Sequence, residues 1–133
     1  MSAGGSGAPL MPYAHYLMFK NEGKNIAIQN IGGIGNITYI DQENITAFDT
    51  GPGNMLIDGA MKILFNKPYD ESGLVAKSGK IIRPVLDYLM QDEYLTMPYP
   101  KSTGREKYSS EYLNQIINMS NEYTNNKEDI ITT

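Results

Sequence analysis

Several residue types that carry chemistry are absent or nearly absent from this chain. Its 133 residues include no cysteine and no tryptophan, and His15 is its single histidine. The lack of cysteine excludes disulfides, thiolate zinc sites and a cysteine nucleophile. One histidine excludes a multi-histidine metal site and makes a Ser-His-Asp relay barely possible. Because His15 lies in an apolar stretch, we expect a hydrogen-bonded structural residue rather than a catalyst.

Positive charge and long apolar runs are also scarce. Lys and Arg number 11 against 15 Asp and Glu, which gives a net charge of −4. This balance argues against nonspecific binding to nucleic acid or anionic membranes, which requires clustered basic residues. No segment approaches the ~20 apolar residues that cross a bilayer, and the glycine-rich start is unlike a signal peptide. We therefore expect a cytoplasmic protein with no nucleic-acid or membrane partner.

The first half of the chain has the pattern of a strand meander. Hydrophobic residues make up 41% and charged residues 20% of the composition, which is ordinary for a globular domain. Alternating apolar residues predict a strand over residues 24–31, and β-branched and aromatic residues predict others over 37–40 and 45–49. The short polar or glycine-rich connections favour antiparallel pairing.

Helical periodicity follows the strands. Residues 54–65 have Leu56, Ala60, Ile63 and Leu64 on one face, with Asn54 as a candidate N-cap. Two later helices are predicted. Apolar residues Ile82, Val85, Leu86 and Leu89 mark one, with Pro84 in its first turn, and Leu113, Ile116, Ile117 and Ser120 mark another that starts at Ser109 or Ser110. We expect loops over residues 66–79 and 98–107.

Two glycine-rich segments have the composition of phosphate-binding loops. The first is Gly4-Gly5-Ser6-Gly7, whose backbone N–H groups could approach an anion, although a linker or tag remnant explains the composition equally well. It is not a Walker A motif, because no Gly-Lys-Ser/Thr follows. The second, residues 30–36, has three glycines between two asparagines and exceeds what a hairpin needs. Taken alone, an ordinary glycine-rich hairpin explains it better.

The third motif, residues 48–54, places an aspartate at the end of a strand and two glycines before a helix. Asp49 could hold Mg²⁺ through water, and the backbone of the following residues could face phosphates. Phe-Asp-Thr-Gly also resembles the aspartic protease signature, which in a single copy would require a homodimer. Against that interpretation, Pro52 stands where those enzymes usually have Ser or Ala, and their later apolar-apolar-Gly element is absent.

The fourth motif, residues 100–106, has two basic residues beside two hydroxyls. Lys101 and Arg105 could bind an anion together with Ser102 and Thr103. On chemistry alone, we favour a solvated surface loop.

In this order, the four motifs resemble the anhydro-N-acetylmuramic acid kinase family over nearly the whole chain. Tyr69-Asp70 and the residues around Gly73 and Gly79 also resemble a loop of that family, whereas Ser6 departs from its usual Gln. The resemblance implies an α/β fold, namely the RNase H-like portion of an acetate/sugar kinase, Hsp70 and actin type fold. Residues 1–133 would form a single partial domain, with a glycine loop and first helix at 1–20, the meander and a helix at 24–65, and loops and helices at 66–133.

The implied reaction uses ATP and Mg²⁺. Water opens the 1,6-anhydro ring of anhydro-N-acetylmuramic acid while the 6-oxygen takes the γ-phosphate, a step in cell-wall recycling. The resemblance implies these nucleotide-binding residues: Gly32, Gly33, Gly35, Asn36, Asp49, Thr50, Gly51, Gly53 and Asn54. Asp49 would lie on the Mg²⁺ side. The sugar substrate would contact the loop formed by Gly4, Gly5, Gly7, Ala8 and Pro9.

The resemblance also implies that this chain is a fragment. The first phosphate loop, the catalytic aspartate and a later nucleotide-binding motif of the family have no counterpart here, and the aspartate would fall immediately upstream of Met1. We therefore name no catalytic residue and expect the isolated chain to be inactive. Exposed apolar surface on a severed domain favours a homo-oligomer. A non-catalytic remnant that binds itself or a partner, and the protease homodimer, remain as alternatives.

Overall fold

A computed structural model describes residues 11–19, 24–41 and 44–133. Helix α1 precedes a three-stranded sheet, and short helices follow the sheet. The elements are α1 (Met11–Phe19), β1 (Ile26–Ile31), β2 (Ile34–Ile40), β3 (Ile45–Pro52), α2 (Met55–Phe65), a 3₁₀ turn (Glu71–Gly73), α3 (Leu74–Ser78), α4 (Arg83–Leu89), α5 (Glu93–Thr96), α6 (Ser110–Asn121) and α7 (Lys127–Thr132). In this part of the chain, no helix is long and apolar enough to cross a bilayer.

The sheet confirms the predicted antiparallel meander, with β2 between β1 and β3. In the β1–β2 ladder, Ile26 lies opposite Ile40 and Ile31 opposite Gly35. Both β2 and β3 extend further than predicted, because β2 begins at Ile34 and β3 ends at Pro52. Glycine lowers the intrinsic preference for a strand, but pairing on both sides of β2 outweighs that preference here.

The core lies mainly between helices α2, α4, α6 and α7. Its buried members are Ala60, Met61, Ile82, Val85, Leu113, Ile116, Ile117, Ile130 and Ile131. All four positions predicted to face inward on α6 are buried, and Pro84 occupies the first turn of α4 as expected. The prediction for α2 is wrong at Ile63, which is 51% exposed, while Met61 is fully buried. The buried stripe of α2 is therefore rotated towards Met61.

Three short helices lie where the sequence analysis predicted loops or left the structure open. Two of them depend on aspartates that satisfy the first backbone N–H groups, which have no partner inside a helix. Both oxygens of Asp70 accept hydrogen bonds at 2.9 Å from the N–H groups of Val75 and Ala76 at the start of α3. Asp92 accepts a hydrogen bond from the N–H of Tyr94 at the start of α5. Residues 66–79 are therefore not the plain loop that was predicted.

The third short helix, α7, docks on α3. The Thr132 hydroxyl donates to the Ala76 carbonyl at 2.7 Å, and the Lys80 N–H donates to the Asp129 carboxylate at 2.8 Å. Gly79 permits this approach, since a Cβ there would overlap the Glu128 carbonyl. Contacts distant in sequence thus stabilise a helix too short to persist by itself.

Candidate functional site

The two central glycine motifs meet at one end of the sheet. The turn between β1 and β2 presents the carbonyls of Gly32 and Gly33 to the connection between β3 and α2. Gly53 donates its N–H to Gly33 at 2.9 Å, and Asn54 donates to Gly32 at 2.9 Å. Met55 adds a longer bond to Gly33 at 3.3 Å. Motifs separated by about twenty residues in the sequence therefore form one continuous backbone surface.

These hydrogen bonds determine which backbone N–H groups at the start of α2 remain available to a ligand. Asn54 is the N-cap residue, as predicted, but its side chain makes no capping hydrogen bond. The N–H groups of Gly53, Asn54 and Met55 are engaged by carbonyls. Leu56 and Ile57 follow them in the first turn, where helical N–H groups lack intrahelical partners. An anion at this helix end would meet those two groups first.

A β-bulge places Thr50 at the centre of the same surface. Asn36 pairs with Asp49 and Gly35 pairs with Gly51, so that Thr50 is the extra residue between them. Gly51 has a φ of 137°, a conformation that favours glycine. A Cβ at Gly35 would lie only 2.7 Å from the Thr50 hydroxyl oxygen. The glycines therefore bring strand backbones unusually close to the threonine side chain.

Gln29 is a member of this surface that the sequence analysis missed. Its side-chain amide donates to the Asn36 carbonyl at 3.0 Å and lies 3.4 Å from the Thr50 hydroxyl oxygen. Gln29 is an exposed strand residue of β1. Nothing in the local alternation distinguishes it from a solvent-facing polar residue, so the sequence offered no signal for its role.

Asp49 is bonded through both its backbone and its side chain. Its N–H donates to the Lys101 carbonyl at 3.2 Å, and its carbonyl accepts the Tyr94 hydroxyl at 2.8 Å. Its Oδ2 accepts the Ser102 hydroxyl at 2.8 Å and the Thr103 N–H at 3.0 Å. The third and fourth motifs are therefore in direct contact. The loop predicted over residues 98–107 is confirmed, and Ser102 and Arg105 are exposed, but Lys101 and Thr103 are half-buried and hydrogen-bonded within the protein.

The ammonium group of Lys101 is hydrogen-bonded within the protein. Its ammonium donates to the carbonyls of Tyr94 at 2.7 Å and Leu95 at 3.2 Å, at the end of α5. It also lies 4.7 Å from the centre of the Tyr94 ring. Cations at a helix C-terminus satisfy carbonyls that lack intrahelical partners. This arrangement assigns Lys101 a capping role.

Asp92 anchors the other side of α5. Its Oδ1 accepts Lys107 at 2.6 Å and the Tyr94 N–H at 2.9 Å, and its Oδ2 accepts the Tyr108 hydroxyl at 3.0 Å. Burial alone would raise the pKa of Asp92, but these hydrogen bonds and the charge of Lys107 lower it below its usual value. Burial and then the hydrogen bond to Asp92 raise the pKa of Tyr108. The Asp92 carboxylate is therefore stabilised in its charged form.

We expect Asp92→Asn to lower the free energy of unfolding at pH 7 by about 2 kcal/mol, the range for hydrogen bonds to a charged group. Because the folded pKa lies below the unfolded one, this stabilisation is complete above about pH 4 and is lost as the pH falls through the folded pKa. Urea unfolding of both proteins at neutral and acidic pH measures the difference.

The matched control is Asp87→Asn. Asp87 forms an exposed i,i+4 ion pair with Arg83 at 2.9 Å, and its side chain is 53% exposed. We expect that substitution to change stability by about 0.5 kcal/mol or less. If Asp92→Asn costs no more than Asp87→Asn at pH 7, the Asp92 cluster does not stabilise α5.

Two further predictions concern the first part of the chain. The proposed sugar loop, Gly4, Gly5, Gly7, Ala8 and Pro9, lies outside the described residues. His15 is within them, and its Nδ1 lies 3.1 Å from the hydroxyl oxygen of the buried Thr38. The hydrogen bond predicted for His15 is therefore present, to a buried residue of β2.

The donors present fit a magnesium ion only in part. Among the described residues, no cluster of three or more His, Cys, Asp or Glu side chains could form a metal site. Asp49 contributes one carboxylate beside the glycine surface. Proteins commonly bind Mg²⁺ through one or two carboxylates, with phosphates and water as the other ligands. The single carboxylate of Asp49 is compatible with that mode. The described residues do not offer a cluster of carboxylates that could hold Mg²⁺ through protein ligands alone.

Comparisons with known proteins point to one family. The family model described as anhydro-N-acetylmuramic acid kinase matches residues 1–133. The anhydro-N-acetylmuramic acid kinase of Clostridioides difficile strain 630 is 49% identical over 138 residues, which cover 100% of this chain and 35% of the relative. The protein of that name from Bacillus cereus strain AH187 is 45% identical over 137 residues, with the same coverage. The chain thus spans about a third of the length of these curated relatives.

Proposed function

Because the chain belongs to the anhydro-N-acetylmuramic acid kinase family, we propose that it forms part of an ATP-dependent kinase acting on anhydro-N-acetylmuramic acid. Family membership at this identity favours the kinase over the aspartic protease alternative. In the proposed reaction, water opens the 1,6-anhydro ring and the 6-oxygen receives the γ-phosphate, a step in cell-wall recycling that we place in the cytoplasm. We assign no catalytic base to the described residues.

The observation that carries the proposal is the backbone surface formed by the two central glycine motifs, together with the pairing of Asp49 with Asn36 in the sheet. Phosphoryl transfer depends mainly on positioned phosphates and on stabilisation of developing charge. The glycines let a ligand approach the backbone closely, and the bulge presents the Thr50 hydroxyl beside them. We propose that the nucleotide phosphates bind here, at Gly32, Gly33, Gly35, Asn36, Asp49, Thr50, Gly51, Gly53 and Asn54.

The proposed metal is Mg²⁺, held by Asp49 directly or through water together with the phosphates. When bound, the ion neutralises phosphate charge during transfer. The protein's own part is to fix the Asp49 carboxylate and to hold the strand ends against α2. We further propose that residues 1–133 are a single partial domain and that the meander followed by α2 opens an RNase H-like core. The sugar would contact the loop from Gly4 to Pro9.

Calorimetric titration of the 133-residue chain with ATP tests this proposal. We expect saturable binding that Mg²⁺ strengthens, because the divalent ion links the phosphates to Asp49. Asp49→Asn should reduce the gain from Mg²⁺ by roughly tenfold, the equivalent of one charge-assisted contact. Asp87→Asn, on the exposed face of α4, serves as the matched control and should bind like the parent chain.

Absence of binding at millimolar ATP, with and without Mg²⁺, would contradict the proposal and favour a non-catalytic remnant that binds itself or another protein. We expect binding without turnover, because the described residues offer no assigned base. Phosphorylation of anhydro-N-acetylmuramic acid by these 133 residues alone would show that the active site is complete within them.

A further inference from the structure

The two carboxylate oxygens of Asp49 have unequal surroundings. Oδ2 accepts two hydrogen bonds, from the Ser102 hydroxyl and the Thr103 N–H. No donor among the described residues is bonded to Oδ1. The donors to Oδ2 come from a loop more than fifty residues further along the chain. This asymmetry distinguishes the two oxygens.

We propose that the loop of residues 101–103 is a positioning element for Asp49, in which Ser102 and Thr103 hold Oδ2 so that Oδ1 alone is presented to the nucleotide-bound Mg²⁺. The inference rests on the proposed function. The terminal torsion of an aspartate is broad and close to twofold, so that an unrestrained carboxylate exchanges its oxygens. Two donors on one oxygen remove that freedom and leave one oxygen available to a metal.

Presenting a single oxygen suits Mg²⁺. This ion requires near-octahedral geometry at short distances and usually retains several waters. A carboxylate that chelates through both oxygens distorts that geometry, whereas a single oxygen, acting directly or through water, is compatible with it. The hydrogen bonds to Oδ2 would therefore favour the coordination mode that the proposed site requires.

The loop is itself held in place by a closed set of contacts. Lys101 donates to the carbonyls of Tyr94 and Leu95, and its own carbonyl accepts the Asp49 N–H. Tyr94 is 3% exposed, and its hydroxyl returns to the Asp49 carbonyl. Asp49, Lys101 and Tyr94 therefore form a closed ring of hydrogen bonds. This ring restrains the backbone at Ser102, although the Ser102 side chain is exposed.

Thr103 acts through its backbone. Its N–H donates to Oδ2, while its side-chain oxygen is buried with no hydrogen-bond partner among the described residues. Among the residues that the structure describes, Ser102 contributes the only side-chain donor to Oδ2, and it is the residue to substitute. A hydroxyl at an exposed position is expendable for the fold, so its removal separates positioning from folding.

The test compares Ser102→Ala, the conservative Ser102→Thr and the control Ser78→Ala, an exposed serine at the end of α3. Calorimetry measures ATP affinity with and without Mg²⁺. We expect Ser102→Ala to weaken Mg²⁺-ATP binding roughly fivefold to tenfold, the equivalent of one hydrogen bond, and to leave metal-free ATP binding unchanged. Ser102→Thr should restore most of the loss, and Ser78→Ala should have no effect.

Equal weakening of ATP binding with and without Mg²⁺ would overturn the inference, since it would show that the substitution changes the nucleotide site as a whole and not the metal contact. No weakening by Ser102→Ala would overturn it as well.

If the parent chain binds no ATP, the proposed function fails by itself, and amide hydrogen exchange then decides the positioning contact. The Thr103 amide should be protected in the parent chain and should exchange at least about tenfold faster in Asp49→Ala, as expected for a lost hydrogen bond. Equal exchange in both proteins would exclude the contact.

Discussion

Gly53→Ala is expected to destabilise the fold by about 3 kcal/mol, at the upper end of the cost of overpacking. A Cβ at position 53 would overlap the carbonyl oxygen of Gly32 and lie 3.4 Å from that of Gly33. Both neighbours are backbone atoms, so no side-chain rotation relieves the overlap. The turn between β1 and β2 would have to move away from α2 and give up the hydrogen bonds from Gly53 and Asn54. Urea unfolding measures the loss.

Gly32→Ala is the matched control, on the other side of the same contact. Its added Cβ would have the Ile34 carbonyl at 3.8 Å as its nearest neighbour, which is ordinary van der Waals contact. Replacing a glycine where the backbone conformation allows alanine stabilises by about 0.4–1 kcal/mol through the unfolded state. A Gly53→Ala protein as stable as Gly32→Ala would disprove the close approach of the turn to α2.

Tyr94→Ala is expected to cost about 3–4 kcal/mol, within the range for removing a large buried aromatic side chain. Tyr94 packs edge-on against Tyr108 with ring centroids 6.4 Å apart, and its hydroxyl holds the Asp49 carbonyl. The substitution would leave a cavity between α5 and β3 and remove the ring beneath Lys101. Thermal and urea unfolding give the cost, and amide exchange over residues 98–107 shows whether the loop is released.

Tyr94→Phe separates the ring from the hydroxyl. We expect it to cost about 1 kcal/mol, since only the hydrogen bond to Asp49 is lost. The loop of residues 98–107 should keep its protection in Tyr94→Phe and lose it in Tyr94→Ala. Equal losses in the two variants would mean that the hydroxyl, and not the packing of the ring, holds α5 against β3.

Local patterns were enough to predict the main elements of the fold. The alternation of apolar residues predicted the meander, and helical spacing predicted α2, α4 and α6, including the first-turn position of Pro84. These elements are long or strongly periodic, so local preference and tertiary packing agree. The short helices were not predictable in this way. Helix α7, for example, depends on hydrogen bonds to residues about fifty positions earlier, such as Ala76.

The individual motifs of the candidate site could be predicted from the sequence, but the contacts between them could not. Composition singled out the glycine motifs and Asp49, because glycine and a strand-terminal carboxylate suit phosphate and metal binding. Asp49 and Ser102 are 53 positions apart in the sequence. Nothing in the spacing or in the neighbouring residues indicates that the two side chains are in contact. Gln29 went unnoticed for the same reason, since Asn36 and Thr50, two of its partners, belong to other strands.

The carbonyls of Gly32 and Gly33, which accept hydrogen bonds from the start of α2, also set the local electrostatic field. They offset part of the positive end of the helix dipole. Lys101, one of the two basic residues of the adjoining motif, directs its ammonium to α5, whereas Arg105 and Lys62 line the cavity that Gly33 and Asn54 also line. A polyphosphate bound beside Gly33 and Asn54 would therefore meet the positive charge of Lys62 and Arg105 and not that of Lys101. Under the proposed function, these two side chains and the divalent cation would together balance the phosphate charge.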